Sequence, residues 1–512
     1  MRSTKLCVLY LLPLLTFSGC TAIADNEIAV ETPENRLSAL ELIKTELGEP
    51  RNLLPDFMCY NANSVQVADW QNRDFIAAVN NLSPSRLRIP GGDVGNYWDW
   101  KRGGLIKNIS SLPAGLPFFL RFKARQHTAS KLPNFQAGLA ATNTEPIFVL
   151  NMLTSDLQSQ LEMLAKAEDL GMEIKYVELG NELYFNIPNY KKVFPNPRAY
   201  GLAAKKWTAA VKQKFPDAQI AVIGVVPPPN KPPRLQNWNK VMRGTVLPTA
   251  DAIALHTYYN HGLDSRSGKS SDYPYFELEE VSQILGEPFR NWQELKEDRN
   301  YQAIPKDKKI WITEYNLFED IFRDGNDKPI PRVAGSWTHG LYNLATSLLF
   351  LEESRIESIC NHSLVEGSIF GAILNTRDSF VNPGDESMIA TPMSLSATGS
   401  ALSLLGEAMQ NMTSARPIEF KNAPQLMGKD NLKYPAVYGW QFSSNRDKRA
   451  IVVNLSSQKL EIDAANLADT FNYQQLFANP RALVNDPKAI NINKGEGNNK
   501  IVLPSYSVTK IY

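Results

Sequence analysis

Between about residue 55 and residue 400 the chain repeats one unit: a short apolar run rich in β-formers, a polar or Gly/Pro-rich loop, then a longer segment with helical periodicity. Such alternation implies a parallel sheet, because each helical crossover carries the chain back to start the next strand in the same direction. The pattern predicts strands over 56–61, 86–89, 146–152, 176–180, 219–225, 252–257, 309–314 and 356–362. Helices are expected over 157–170, 197–215 and 333–352. Eight parallel strands with helices between them suggest a closed (β/α)8 TIM barrel, an α/β fold, over 55–409.

After about residue 405 the pattern becomes short alternating strands with turn residues: 436–442, a turn at Ser443-Ser444-Asn445-Arg446-Asp447, then 450–455. That reads as a hairpin, and residues 410–512 are expected to form an antiparallel β-sandwich. Residues 25–54 are read as a segment that joins the sandwich through a short strand, with a helix over 34–47. The run from Gly262 to Pro305 is a long insertion after the sixth strand, expected to act as a lid or subsite wall. Pro227-Pro228-Pro229-Asn230-Lys231-Pro232-Pro233 is a rigid loop after the fifth.

With 54 Lys and Arg against 53 Asp and Glu, no net field recruits nucleic acid or an anionic membrane. The first 24 residues read as an export signal: Arg2 and Lys5, an apolar run over 6–17, then small residues. Two processing readings stand side by side. Phe17-Ser18-Gly19-Cys20 resembles a lipoprotein box that would put a lipid anchor on Cys20, and Ala22-Ile23-Ala24 fits an ordinary cleavage site. The chain is therefore expected in the periplasm, outside the cell, or lipid-anchored at a bacterial envelope. Only Cys59 and Cys360 then remain in the folded body, too few for a disulfide scaffold.

Barrel enzymes carry their reacting groups at the C-terminal ends of the strands, where the βα loops converge. The fourth strand ends in Gly180-Asn181-Glu182 and the seventh in Thr313-Glu314, each placing a glutamate at the top of an apolar run. Strands four and seven lie on opposite sides of an eight-stranded barrel, so the two side chains can face each other across its mouth. Paired carboxyls at that distance are what glycosidic cleavage with retention requires, one to protonate the leaving oxygen and one to attack the anomeric carbon.

Leu179-Gly180-Asn181-Glu182 and Ile312-Thr313-Glu314-Tyr315 resemble the signatures of the large glycosidase clan with its acid/base on strand four and its nucleophile on strand seven. Leu87-Arg88-Ile89-Pro90-Gly91-Gly92 is similar to the Arg-x-Pro-Gly-Gly turn of α-L-arabinofuranosidases and of the heparanase and β-glucuronidase families. Leu255-His256-Thr257-Tyr258-Tyr259 is similar to the clan's His-x-Tyr segment. The resemblance implies a retaining glycoside hydrolase acting on an oligo- or polysaccharide. It implies Glu182 as acid/base, Glu314 as nucleophile and Asn181 as a contact to the hydroxyl beside the anomeric carbon. Tyr258 would orient Glu314, Arg88 would keep it ionised, and His256 would stand at the rim, either touching sugar or buried as a core histidine.

Arg86 and Arg88 share one face of their strand, as do Glu178 and Glu182, so Arg86 is expected to pair with Glu178 below the site. Sugar sites combine hydrogen-bonding groups with aromatic platforms. Tyr97, Trp98, Trp100, Tyr184, Tyr259, Tyr315 and Trp337 fall near the rim loops, with Trp98 and Tyr315 taken as substrate contacts beside Asn181, Arg88, His256 and Tyr258. Asp93 and Asn96 are further polar groups after the Gly91-Gly92 turn. Barrel closure makes strands one and eight neighbours, so Cys59 and Cys360 can bridge if their registers match.

No metal or cofactor is expected. His127, His256, His261, His339 and His362 fall in no ligand motif, and no nucleophile elbow or Gly-rich phosphate loop occurs. Two other readings use the same barrel: a carbohydrate-binding protein without turnover, and a transglycosylase with the same carboxylates.

Overall fold

Each strand of the repeating unit is buried on both faces, which is why the runs read as continuously apolar and not alternating. The computed structural model describes residues 41–512 except 55–56, 65–68, 108–130, 227–232, 266–274, 319–330, 367–370, 375–392, 469 and 484–488. The export signal, Cys20, His127 and most of the proline-rich loop lie outside the described residues.

Met58–Asn61, Arg86–Ile89, Glu145–Val149, Tyr176–Leu179, Gln219–Ile223, Ala252–Tyr259, Lys309–Leu317 and Ile356–Asn361 form a closed parallel barrel in chain order. The eighth strand closes on the first with Cys360 opposite Cys59. In that register the two sulfurs are bonded as a disulfide spanning 301 residues of sequence. They belong to an interior layer with Ile147, Tyr176, Ala221, Ala252, Ala254 and Trp311, where large and small side chains fill the barrel together.

The outer helices begin where short polar side chains cap them. Asp156, Asn196 and Ser336 accept hydrogen bonds from backbone N–H groups in the first turns of Leu157–Asp169, Pro197–Lys214 and Trp337–Phe350. Trp337–Phe350 is buried along its whole length. It packs beside Ala397–Met409, and it carries bonds to the C-terminal sheet: the Trp337 indole donates to the Tyr506 carbonyl and the Thr338 hydroxyl to that of Pro480. Barrel and C-terminal sheet form one compact unit.

Eight C-terminal strands, with Leu42–Leu47 and Arg51–Asn52 from before the barrel, form a ten-stranded sheet around an apolar core of Ile43, Ile418, Val452, Ile462, Phe471 and Leu503, among others. The expectation of a helix over 34–47 is corrected where the chain is described. Leu42–Leu47 is a strand, antiparallel to Ser414–Lys421 and parallel to Leu460–Asp463. Its buried residues, Ile43 and Thr45, lie two apart, the period of a strand. Local sequence favours a helix there, and pairing with two strands of the sheet overrides it.

Over its described part the insertion after strand six carries the helix Val281–Glu297. It packs on Trp337–Phe350 and sets Phe289 against Tyr434 of the C-terminal region, with ring centroids 6.0 Å apart.

Candidate active site

The loop after strand two is fixed by glycines. Gly91 has φ +91°, and a Cβ there would stand 2.6 Å from the Asn63 backbone. A Cβ on Gly92 would meet Glu314 Oε1 at 2.9 Å and His362 Cε1 at 3.4 Å. Gly92→Ala therefore pushes on a carboxylate that Arg88 already grips at 2.7 Å. We expect roughly a 10²-fold loss of kcat/KM with little change in melting temperature, because the misplacement is confined to the site.

Arg88 organises the floor. A guanidinium has five N–H donors, and all five are used here. Nε and one Nη2 hydrogen bind Glu178 at 2.7 and 2.9 Å, and Nη2 also reaches Asn181 Oδ1 at 2.8 Å. Nη1 donates to Asn61 Oδ1 and to Glu314 Oε1, both at 2.7 Å. Burial would discharge Arg88, but Glu178 and Glu314 override it and raise its pKa. Fully buried and fully engaged, Arg88 has no donor left for a sugar, which corrects its expected role as a substrate contact.

The expected Arg86–Glu178 pair is corrected by register. Arg88 stands level with Ile147, and Ile147 with Tyr176, so Glu178 lies two residues above Arg88 and four above Arg86. Arg86 instead lays its guanidinium over the Tyr176 ring, 3.5 Å from the centroid.

After strand four the backbone turns left-handed at Gly180, φ +88°, and again at Glu182, φ +46°. A non-glycine residue holds that conformation at a cost of order 1 kcal/mol, so the surroundings must enforce it. Asn96, fully buried, clamps the preceding residue: its Nδ2 donates to the Asn181 carbonyl at 2.7 Å and its Oδ1 accepts the Asn181 N–H at 3.2 Å. Asn181 Nδ2 in turn donates to Asp93 Oδ1 at 3.1 Å. Glu182 Oε1 accepts from the Tyr184 hydroxyl at 2.9 Å and lies 2.9 Å from His256 Nδ1.

Strand seven carries a bulge against strand six: Leu255 pairs with Ile312, then His256 with Glu314. The extra residue, Thr313, turns inward, donating to Glu178 Oε1 at 3.3 Å and meeting His256 Nε2 at 3.1 Å. Glu314 then points into the mouth, and the Tyr258 hydroxyl donates to its Oε2 at 2.6 Å. His256 Nδ1 and His362 Nδ1 stand 3.7 and 3.6 Å from that same oxygen. Burial would raise the Glu314 pKa, but His256, His362, Arg88 and the Tyr258 hydrogen bond hold it down at about 2. His256 is pulled the other way: burial lowers it, while Glu314 and Glu182 more than compensate and raise it.

One oxygen from each of Glu182 and Glu314 and a ring nitrogen of His256 all lie within 4.8 Å of one another. Among the described residues this is the group that converges closely enough to hold a metal ion, yet Arg88 and Tyr258 already occupy both Glu314 oxygens. Asp93 forms a third carboxyl at the wall. Burial, then Glu182 and Glu314, raise its pKa well above the usual carboxylate range.

The aromatic expectations are largely corrected. Glu314 faces inward, so by strand alternation Tyr315 faces outward: it is fully buried, with its hydroxyl 2.7 Å from that of Ser347. Trp98 packs edge-on to Phe135 in the core, Tyr97 and Trp337 are wholly buried, and only Tyr184 of the expected set bonds a site carboxylate. Phe318, one residue past strand seven, was not anticipated. It is 42% exposed and edge-on to Tyr258, with centroids 6.1 Å apart.

No model of a known sequence family matches the chain, and no curated protein is similar to it in sequence. Solved structures are. A family 51 α-L-arabinofuranosidase from Bifidobacterium longum superposes with a TM-score of 0.67 at 15% identity, over 91% of this chain and 99% of that one. The family 51 arabinofuranosidase of Xanthomonas axonopodis pv. citri gives 0.65 at 16% identity, over 92% and 99%. A 4-O-α-L-rhamnosyl-β-D-glucuronidase from Fusarium oxysporum gives 0.55 at 12% identity, over 92% and 99%. The chain thus has, over nearly its whole described length, the barrel-and-sandwich fold of these glycoside hydrolases.

Proposed function

We propose that the protein is a retaining glycoside hydrolase that cleaves O-glycosidic bonds of an oligo- or polysaccharide, with Glu182 as acid/base and Glu314 as nucleophile. The observation that carries this reading is the approach of the two carboxylates to within 4.8 Å. Retaining enzymes hold their carboxyls about 5 Å apart, whereas inverting ones leave a wider gap for water. In the first step Glu314 attacks the anomeric carbon as the bond to the leaving oxygen breaks, and Glu182 gives that oxygen its proton. In the second, Glu182 takes a proton from water, whose oxygen displaces Glu314 from the same carbon.

The electrostatics of Glu314 support its role: a nucleophile must be ionised in the free enzyme, and His256, His362, Arg88 and Tyr258 hold the Glu314 pKa down. In this reading Asn181, held by Asn96 and Arg88, is the contact to the hydroxyl beside the anomeric carbon. We read the protein as exported on its first 24 residues, and a disulfide inside the barrel suits an oxidising compartment.

A screen of chromogenic arabinofuranoside, xyloside, glucuronide and glucoside on wild type and Glu314→Ala tests the proposal. Turnover of at least one substrate by wild type alone is expected. Sugar affinity without turnover in the wild type would favour a binding protein, and products longer than the substrate a transglycosylase.

A further inference from the structure

We propose that His362 is a positioning residue for Glu314: its ring, set beside the carboxylate, helps to hold the nucleophile ionised on the acid side of the pH profile. This rests on the reading of Glu314 as nucleophile. His362 follows the last residue of strand eight, and barrel closure brings it beside strand seven. Its Nδ1 is 3.6 Å from Glu314 Oε2, its ring is edge-on to Tyr258 with centroids 6.1 Å apart, and its side chain is 18% exposed, toward the mouth.

The backbone of His362 is built into place. Its N–H donates to the Tyr315 carbonyl at 3.2 Å, and its carbonyl accepts from Asn316 Nδ2. Asn316 Oδ1 is held in turn by His339 Nε2 at 2.7 Å and Asn343 Nδ2 at 2.8 Å, both from the buried helix Trp337–Phe350. The Gly335 N–H donates to His339 Nδ1 at 3.1 Å, which leaves Nε2 as the protonated nitrogen of a neutral ring. Burial lowers the His339 pKa to about 3, so this ring stays neutral as the site is acidified. A wholly buried polar network of this kind is costly unless every member is satisfied. Here one of its outward bonds fixes His362.

Among the described residues, the groups facing Glu314 are Arg88 from strand two, Asp93 from the loop after it, Glu182 after strand four, His256 and Tyr258 on strand six, and His362 after strand eight. Arg88 is charged at every relevant pH. His362 stands 3.6 Å from Glu314 Oε2 and is among the neighbours that lower the Glu314 pKa. Without it, the nucleophile protonates at higher pH.

The test is the pH profile of kcat/KM for wild type, His362→Gln and His362→Lys, on a substrate that wild type cleaves and Glu314→Ala does not. For His362→Gln, the ratio of kcat/KM at pH 3 to that at pH 7 should fall roughly two- to tenfold below the wild-type ratio, as expected if losing this neighbour raises the Glu314 pKa from about 2 by about one to two units. His362→Lys, which places a permanent cation there, should stay closer to the wild-type ratio than to that of His362→Gln. Melting curves at both pH values confirm that each variant is folded. A His362→Gln profile lowered equally at all pH values, or unchanged, overturns the inference and leaves the reading of Glu314 intact. Wild-type inactivity on every glycoside, or full activity of Glu314→Ala, overturns that reading and this inference together.

Discussion

Glu314→Ala is expected to lower kcat/KM by at least roughly 10⁴-fold on every glycoside the wild type cleaves, since removing a catalytic nucleophile disables both chemical steps at once. Folding should be largely preserved, because Arg88 keeps both bonds to Glu178 and those to Asn61 and Asn181. The substitution leaves a space beneath the anomeric carbon. Azide can enter it and attack in place of the carboxylate, so millimolar azide should restore part of the turnover on a substrate with an activated leaving group. The product is then a glycosyl azide of inverted configuration. Steady-state rates with and without azide check the loss and the rescue, and normal turnover by the variant would remove Glu314 from the mechanism.

Arg88→Met should be the most destabilising single change at the site. Arg88 is fully buried, and its Nε–Glu178 contact pairs side chains 0% and 1% exposed. Removing one partner of such a pair strands the other charge in a low-dielectric interior, at about 3–5 kcal/mol. The variant should also be almost inactive, because Asn181 and Glu314 lose a common anchor. Arg88→Lys should recover little, since an ammonium is a compact point charge and cannot span the guanidinium's planar fork. Urea unfolding at neutral pH measures the first effect; a loss under 1 kcal/mol for Arg88→Met would mean that water or a local shift compensates Glu178.

The eight barrel strands were legible because burial on both faces writes apolar runs, and their glutamates were legible because each stands at the polar end of such a run. Register was not. Whether Arg86 or Arg88 meets Glu178 depends on the stagger between strands two, three and four, which no single strand encodes. Tyr315 was misassigned for a related reason: adjacent residues of a strand face opposite ways, so only one of Glu314 and Tyr315 can face the mouth. The segment before the barrel was misread because 42–47 carries enough apolar residues for either period, and its sheet partners lie about 370 to 420 residues away. His362 left a weak trace. It follows strand eight as Glu314 ends the predicted strand seven, and the closed barrel makes those positions neighbours, yet a lone histidine in a sequence does not announce a carboxylate beside it.

The most direct test of the facing carboxylates is the configuration of the first-formed sugar, read by proton NMR of the anomeric signal immediately after enzyme is added to an anomerically pure glycoside. Retention is expected, because the gap between Glu182 and Glu314 suits direct attack by a carboxylate and not an interposed water. An initial product of the opposite anomer would contradict the double displacement and, with it, the role given to Glu314.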